Sequence, residues 1–131
     1  MNGFVVILLA GLAGWIFGAI WYTALGKVWQ RAIGLDPDAC KDRKMPVTPL
    51  VVAFVSALVM AAVLYQLLVN LGVMGTLHGA VAGLTIGIGF LLTSTLVNNL
   101  FQGRKLLLTA IDAGHWVLAV VVEAVVITAL A

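Results

Sequence analysis

Four apolar runs, each more than 20 residues long, dominate this sequence of 131 residues. At about 1.5 Å per residue, a helix of that length spans the roughly 30 Å hydrocarbon core of a bilayer. The runs cover residues 3–25, 49–70, 77–100 and 106–130. The sequence therefore predicts an all-α integral membrane protein: a single domain, residues 1–131, of four transmembrane helices in an antiparallel up-down bundle.

Composition agrees with a lipid environment, since 63% of the residues are hydrophobic and 9% are charged, against about 25% charged in soluble domains. The net charge of +2 is too small and too dispersed to predict a nucleic-acid surface. The single Cys40 excludes an internal disulfide. Residues 1–26 contain no Lys or Arg, which argues against a cleaved signal peptide, so we expect the first run to be retained as a helix.

The longer connection, residues 26–48, begins with an amphipathic segment at residues 26–35. Apolar and polar side chains there take opposite helical faces, which predicts a short interfacial helix after the first span. Thr48-Pro49 predicts the capped start of the second span, and Gly72 its end. Only residues 72–76 join the second span to the third, which predicts an antiparallel hairpin.

The positive charges predict the orientation. The connections 26–48 and 101–105 lie on the same side of the bundle and contain all seven Lys and Arg residues, whereas the other side contains none. Because cytoplasmic loops retain positive charge, both termini are predicted to lie outside the cytoplasm. The cytoplasmic basic residues that we single out are Lys27, Arg31, Arg104 and Lys105.

Polar residues inside the fourth span, Asp112, His115 and Glu123, are costly at membrane depth and point to a site. Asp112 lies about 10 Å along the helix from the cytoplasmic loop, which is also the depth of Asn98 on the third span. We therefore predict a contact from Asn98 or Asn99 to Asp112, in a polar intramembrane site comprising Asp112, Asn98, Asn99, His115 and Tyr22.

A second pair is predicted near the outer side, where His78 is level with Glu123. Two interpretations of these polar residues remain open. They form a track for protons or small ions, or they are buried groups whose hydrogen bonds fix the register of the helices.

Glycines recur at four-residue spacing in the first and third spans. Small residues at this spacing allow the backbones of membrane helices to approach closely. They predict either a seam between subunits or around a pathway, or ordinary packing within the chain. The residues concerned are Gly14, Gly18, Gly79, Gly83 and Gly87.

Enzyme chemistry and cofactors are not predicted. The two histidines, His78 and His115, lie on different helices at different depths, so the sequence has no metal-ligand spacing. The glycines are not followed by Lys-Ser/Thr, so they do not form a phosphate-binding loop.

Several segments resemble, in order, those of the bacterial family called domain of unknown function 1761. They are the run from Gly18 to Trp21-Tyr22, then Leu25-Gly26-Lys27 with Trp29, then Lys44-Met45-Pro46, Asn98-Asn99-Leu100-Phe101-Gln102-Gly103-Arg104 and Asp112-Ala113-Gly114-His115-Trp116. The sequence has Asn99, Gln102 and His115 where an aromatic, Glu and an aromatic are usual. The resemblance implies a four-helix protein of the bacterial cytoplasmic (inner) membrane, with Trp21, Tyr22, Asn98, Gly103, Arg104 and Asp112 near the cytoplasmic face.

Two hypotheses follow for the function. The first is a small transport or permeation protein, a homo-oligomer in the lipid bilayer with an intramembrane carboxylate site, because one four-helix chain has little room for both a wall and a pathway. The alternative is a structural or accessory subunit that packs its glycine faces against a larger membrane complex.

Overall fold

The structure, a computed structural model, describes residues 1–40, 42, 44 and 46–131, without the side chain of Cys40. Its helices are α1 (Gly3–Ala32), α2 (Pro37–Cys40), α3 (Val47–Asn70), α4 (Thr76–Ile86), a π-helical segment (Gly87–Leu92), α5 (Thr93–Phe101) and α6 (Leu106–Leu130). Helix α4, the π-helical segment and α5 run on as one helix, Thr76–Phe101, called here the third span. Within the described residues, four helices are long and apolar enough to cross a membrane, which confirms the predicted all-α, four-span fold.

Helix α6 lies at the centre of the bundle. Half of its most apolar stretch is buried, against 11% to 22% for the other three spans. It contacts α1, α3 and the third span, and α1 also packs on α3. The core therefore forms where α1, α3 and α6 meet, around the residues Val6, Ala10, Ala61, Leu64, Leu68, Val120, Ala124 and Ile127.

The two ends of the bundle differ in charge. We call the end that holds the α1–α3 connection and the α5–α6 turn the basic end, and the end that holds both termini the terminal end. Helices α1 and α6 run antiparallel between these ends. As a result, Tyr22 meets Asp112 near the basic end while Gly14 meets Glu123 nearer the terminal end.

Glycines end three of the helices. Gly72 has a φ of +68°, and the amide of the next residue, Val73, donates to Leu68 O at 2.9 Å. This backbone conformation costs glycine little, and it satisfies carbonyls left free at a helix end. The predicted stop at Gly72 is confirmed, and Gly34 and Gly103 end α1 and α5 in the same way.

Two predicted boundaries are wrong. Residues 26–35 do not form a separate interfacial helix, because α1 continues through Gly26 to Ala32 with no proline to interrupt it. At 30 residues, α1 is about 45 Å long and extends beyond a bilayer core. Helix α3 begins at Val47 after Pro46, so Thr48 is not its N-cap and Pro49 is the third helical residue.

The π-helical segment changes which residues of the third span face α6. In an uninterrupted α-helix, Asn98 would point in nearly the same direction as Gly87, because eleven residues make almost three whole turns. A π-turn takes one extra residue. Asn99 therefore takes the direction of Gly87, and Asn98 turns outward, where it is exposed.

Hydroxyl groups satisfy carbonyls of this segment. Thr93 Oγ1 donates to Gly89 O at 2.8 Å, and Ser94 Oγ donates to Phe90 O at 2.5 Å. A membrane helix that departs from α geometry commonly uses Ser and Thr in this way, because lipid supplies no donors. The local sequence thus supports the irregularity.

Candidate intramembrane polar site

Asp112 is held by two donors from α1. Tyr22 Oη donates to Asp112 Oδ1 at 2.6 Å, and Trp29 Nε1 donates to the same oxygen at 3.1 Å. At the adjacent residues, Trp21 Nε1 donates to the carbonyl of Ile111 at 3.0 Å. Three aromatic side chains of α1 therefore fasten the basic-end third of that helix to α6.

The predicted contact between Asp112 and Asn98 or Asn99 is wrong. Asn98 faces outward for the reason given above, and Asn99 Nδ2 donates instead to Thr109 Oγ1 on α6 at 2.9 Å. Depth along the helices was a correct guide to proximity, since Thr109 lies one turn from Asp112. Depth alone did not predict the direction in which each side chain points.

His115 lies in a box of aromatic rings one turn beyond Asp112. Its ring centroid lies 4.9 Å from that of Tyr22, 4.7 Å from Trp116 and 6.3 Å from Phe17, to which it is nearly parallel. The side chain is 8% exposed, and its Nδ1 has no hydrogen-bond partner among the described residues. The structure thus brings together three of the predicted site residues: Tyr22, Asp112 and His115.

Glu123 is the most enclosed carboxyl group of the described residues. It is 2% exposed, and its Oε2 has no hydrogen-bond partner there. Its carboxyl group lies against Gly14, where an added Cβ would be 2.5 Å from Oε1. Gly14 is therefore the residue on α1 that makes space for this carboxyl group.

The predicted outer pair of Glu123 and His78 does not form. His78 is exposed at the start of the third span, and its Nδ1 lies 3.0 Å from the carbonyl of Met74 in the connection that precedes this span. Glu123 faces α1 instead of the third span. His78 is also nearer the terminal end than Glu123, because the adjacent Gly79 packs against Ala124 and Thr128.

The glycines serve two different contacts within the chain. Gly79, Gly83 and Gly87 bring the third span against α6, where Cβ atoms at Gly83 and Gly87 would lie 2.8 Å from Val121 Cα and 3.0 Å from Val117 Cα. Gly14 and Gly18 accommodate polar groups, because a Cβ at Gly18 would lie 2.7 Å from His115 Nε2. We call the surface formed by Gly14 and Gly18 the α1 notch.

The sequence did not predict some residues of the site, or it predicted them at a different position in the fold. Trp29 was placed on an interfacial helix, and Phe17 and Trp116 were given no role. Gly114 allows close contact with Trp21, whose ring would lie 3.1 Å from a Cβ at that position. The available signal was the concentration of aromatic residues one turn apart on α1, facing a carboxylate at the same depth.

The basic residues Lys27, Arg31, Arg104 and Lys105 are all exposed at the basic end, as predicted from their loops. Arg104 Nε donates to Gln102 Oε1 at 2.7 Å. A shallow cavity of about 640 Å³ separates the end of α1 from the α5–α6 turn, and Arg104 and Lys105 line it. None of these residues contacts the buried polar groups.

The sequence matches the family described as "Protein of unknown function (DUF1761)" over residues 5–128. The chain belongs to this family. The resemblance seen in its sequence segments is therefore confirmed over nearly its whole length. No curated protein matches the chain, and no solved structure does.

In this DUF1761 chain, the buried polar groups form a short column along the α1–α6 interface. Asp112, His115 and Glu123 follow one another along α6, and the last two lie on the α1 notch. Among the described residues, no three His, Cys, Asp or Glu side chains come together as metal ligands. The column thus places three titratable side chains on one helix interface inside the bundle.

Proposed function

We propose that this protein is a small transport or permeation protein of the bacterial cytoplasmic membrane, with the α1–α6 interface as its intramembrane site. Both termini lie on the periplasmic side, which the exposed basic residues at the opposite end support. It works without an enzymatic step or a cofactor. Glu123 and His115 carry the function, and Tyr22 and Asp112 border the site toward the basic end.

The supporting observation is that two buried polar atoms on this interface, His115 Nδ1 and Glu123 Oε2, have no partner among the described residues. Buried polar groups that only fix helix register are normally hydrogen-bonded, since an unsatisfied one costs about 1–3 kcal/mol. A group retained without partners at membrane depth is better explained by a function.

Asp112 has a different role. Its Oδ1 accepts hydrogen bonds from both Tyr22 and Trp29, so the second interpretation of the sequence, a carboxylate that fixes helix register, fits this residue. The hydrogen bonds of Asp112 support a role for it in fastening α1 to α6, and the unpartnered Oε2 supports a role for Glu123 in the site.

Reconstituted flux tests the proposal. The full chain is placed in liposomes, and the fluxes of H⁺, Na⁺ and K⁺ are measured with ion-sensitive dyes. We expect flux of at least one ion, and a loss of about tenfold or more in Glu123→Ala. The same removal at the exposed Asp38 in α2, Asp38→Ala, is the matched control and leaves flux unchanged. No flux of any of the three ions would disprove the proposal.

A second function, a structural or accessory subunit of a larger membrane complex, is favoured by the outer face of the third span. The described exposed polar residues at membrane depth include Thr85, Thr93 and Ser94 on this span, and Thr23 on α1, whose hydroxyl bonds to its own helix. Asn98 continues the row toward the basic end. Polar side chains at membrane depth usually face another helix, either of a second copy or of a different subunit.

Cross-linking distinguishes a second copy from a different subunit. In a Cys40→Ser background, we expect Gly89→Cys or Asn98→Cys to form disulfide-linked dimers in native membranes if the chain is a homo-oligomer. Val59→Cys, on the exposed aliphatic face of α3, is the control and remains monomeric. Co-purification with other subunits at a fixed ratio, without dimers, favours the accessory subunit.

A further inference from the structure

We infer that the species handled at Glu123 is a proton rather than a metal ion or an organic solute. The inference rests on the proposed function and narrows it to one substrate class. It is carried by the space around the Glu123 carboxyl group and by the groups that border it.

Space is the first constraint. The carboxyl group lies so close to α1 that a single methyl group at Gly14 would come within 2.5 Å of Oε1 and 2.9 Å of the side-chain Cγ. A Na⁺ or K⁺ ion with its ligands needs far more room than a methyl group. A proton that binds a carboxylate oxygen adds almost no volume, so this packing accepts it without separating the helices.

Ligand number is the second constraint. Hard cations such as Ca²⁺ and Mg²⁺ take about six or more oxygen ligands. Glu123 Oε2 has no hydrogen-bond partner among the described residues, and no cluster of three metal-ligating side chains exists there. One carboxyl group with apolar neighbours holds a proton through a single O–H bond.

The helices packed around Glu123 contribute few charged or titratable residues. Residues 3–21 of α1 contain none, and α3 contributes Tyr65, which lies beside Gly3 at the terminal end. The third span has His78, exposed and bonded to Met74. No described Lys or Arg therefore stands at Glu123 to pair with a permanent carboxylate, and the proton itself is the partner that neutralises it.

His115 is the next titratable group along the same face of α6. It lies eight residues from Glu123, about 12 Å along the helix, and it too rests on the α1 notch. Beyond it, Tyr22 and Asp112 continue toward the basic end. The carboxylate of Glu123 takes a proton from hydronium and releases water. At about 12 Å along the helix, His115 is too distant to receive that proton directly, and it is a separate titratable group of the same interface.

The decisive experiment uses liposomes that contain the full chain and a pH-sensitive dye, with a K⁺ diffusion potential set by valinomycin. We expect proton flux in the wild type and at least a tenfold loss in Glu123→Gln, which removes the ionisable group but keeps its shape. Asp38→Asn is the control and keeps the wild-type rate. Gly14→Ala, which places a methyl group against the carboxyl group, also lowers the rate.

The possible failures are distinct. Flux of Na⁺ or K⁺ by the wild type without valinomycin, abolished in Glu123→Gln, would overturn the proton inference and leave the proposed function intact. Proton flux that is unchanged in Glu123→Gln would also overturn it. Absence of flux of any ion in the wild type would remove the proposed function itself.

If the variants change the fold, an infrared measurement on the wild type still tests whether a carboxyl group titrates. Infrared difference spectra of the wild type between two pH values should contain a carbonyl band of a carboxylic acid that gains or loses its proton. The band disappears in Glu123→Gln and remains in Asp112→Asn. A band that disappears only in Asp112→Asn would contradict the assignment to Glu123.

Discussion

The α1–α6 interface and the outer face of the third span both contain polar residues at membrane depth, but the two regions differ in the burial and hydrogen bonding of these residues. In the interface, Glu123 and His115 are enclosed, and one side-chain atom of each lacks a hydrogen-bond partner among the described residues. On the outer face, Thr93 and Ser94 are exposed, and their hydroxyls bond to carbonyls of their own helix. A polar residue in a membrane helix can thus indicate either a buried site or a contact surface. Which of the two it indicates depends on whether a neighbouring helix covers it.

The largest effect that separates the two regions concerns their glycines. Gly14→Leu inserts a side chain where even a Cβ would overlap Glu123, so we expect α1 to be displaced and the chain to lose about 3 kcal/mol of stability. Gly89→Leu is the matched control, because a Cβ there meets nothing within 4 Å among the described residues. Thermal unfolding in mild detergent measures both.

An equal loss in Gly89→Leu would break this comparison. It would mean that the outer face of the third span is packed against another helix in the detergent-solubilised protein. The same sample examined by size-exclusion chromatography with light scattering would then give the mass of a complex instead of a single chain.

A smaller effect tests the fastening of α1 to α6 at the basic end. Tyr22→Phe removes the hydroxyl that donates to Asp112 at 2.6 Å and leaves Trp29 as the remaining donor. We expect a loss of about 1–2 kcal/mol in unfolding free energy. Tyr65→Phe, whose hydroxyl makes no hydrogen bond to the described residues, should cost less than half as much.

If Tyr22→Phe and Tyr65→Phe were equally stable, the hydrogen bond to Asp112 would contribute nothing to the interface. Asp112→Asn sharpens the result, because the amide oxygen can still accept from Tyr22 and Trp29. Its stability should fall between that of the wild type and that of Asp112→Leu.

The smallest effect compares neighbouring amides of the third span. Asn99→Leu removes the hydrogen bond to Thr109 and should cost about 0.6 kcal/mol within the chain. Asn98→Leu should leave the stability of the single chain unchanged, because Asn98 faces outward. If Asn98 lies at an interface between copies, the same 0.6 kcal/mol weakens dimerisation about threefold.

Unfolding of the single chain and the dimer fraction in detergent are therefore measured on both variants. Reversed results, with Asn98→Leu lowering the stability of the chain and Asn99→Leu lowering dimerisation, would show that the π-helical segment does not rotate the third span as described.

Much of the fold followed from local sequence because its causes are local. Run length predicted the four spans, and Gly72 predicted the end of α3 through a backbone conformation that glycine adopts freely. The predicted interfacial helix failed for the converse reason. An amphipathic pattern at residues 26–35 is equally compatible with a continuation of α1 whose Trp29 docks on Asp112.

The candidate site was predicted only in part. Asp112, His115 and Glu123 could be selected from sequence, since their cost in a membrane does not depend on their neighbours. Their partners could not be selected in the same way. One extra residue in the π-helical segment turned Asn98 away from α6, and His78 is exposed near the terminal end, with its Nδ1 beside the carbonyl of Met74.

The sequence by itself therefore determined that this chain has four membrane-spanning helices and which of its buried residues are costly. These properties depend on the hydrophobicity and the length of each run, which the linear sequence contains directly. Only the tertiary structure decided that Asp112 accepts hydrogen bonds from α1 while Glu123 Oε2 has no partner among the described residues. It also decided that Gly14 and Gly18 accommodate polar groups of α6 while Gly83 and Gly87 bring the third span against its backbone. The reason is that helix rotation and helix adjacency are set by the packing of all the spans around α6.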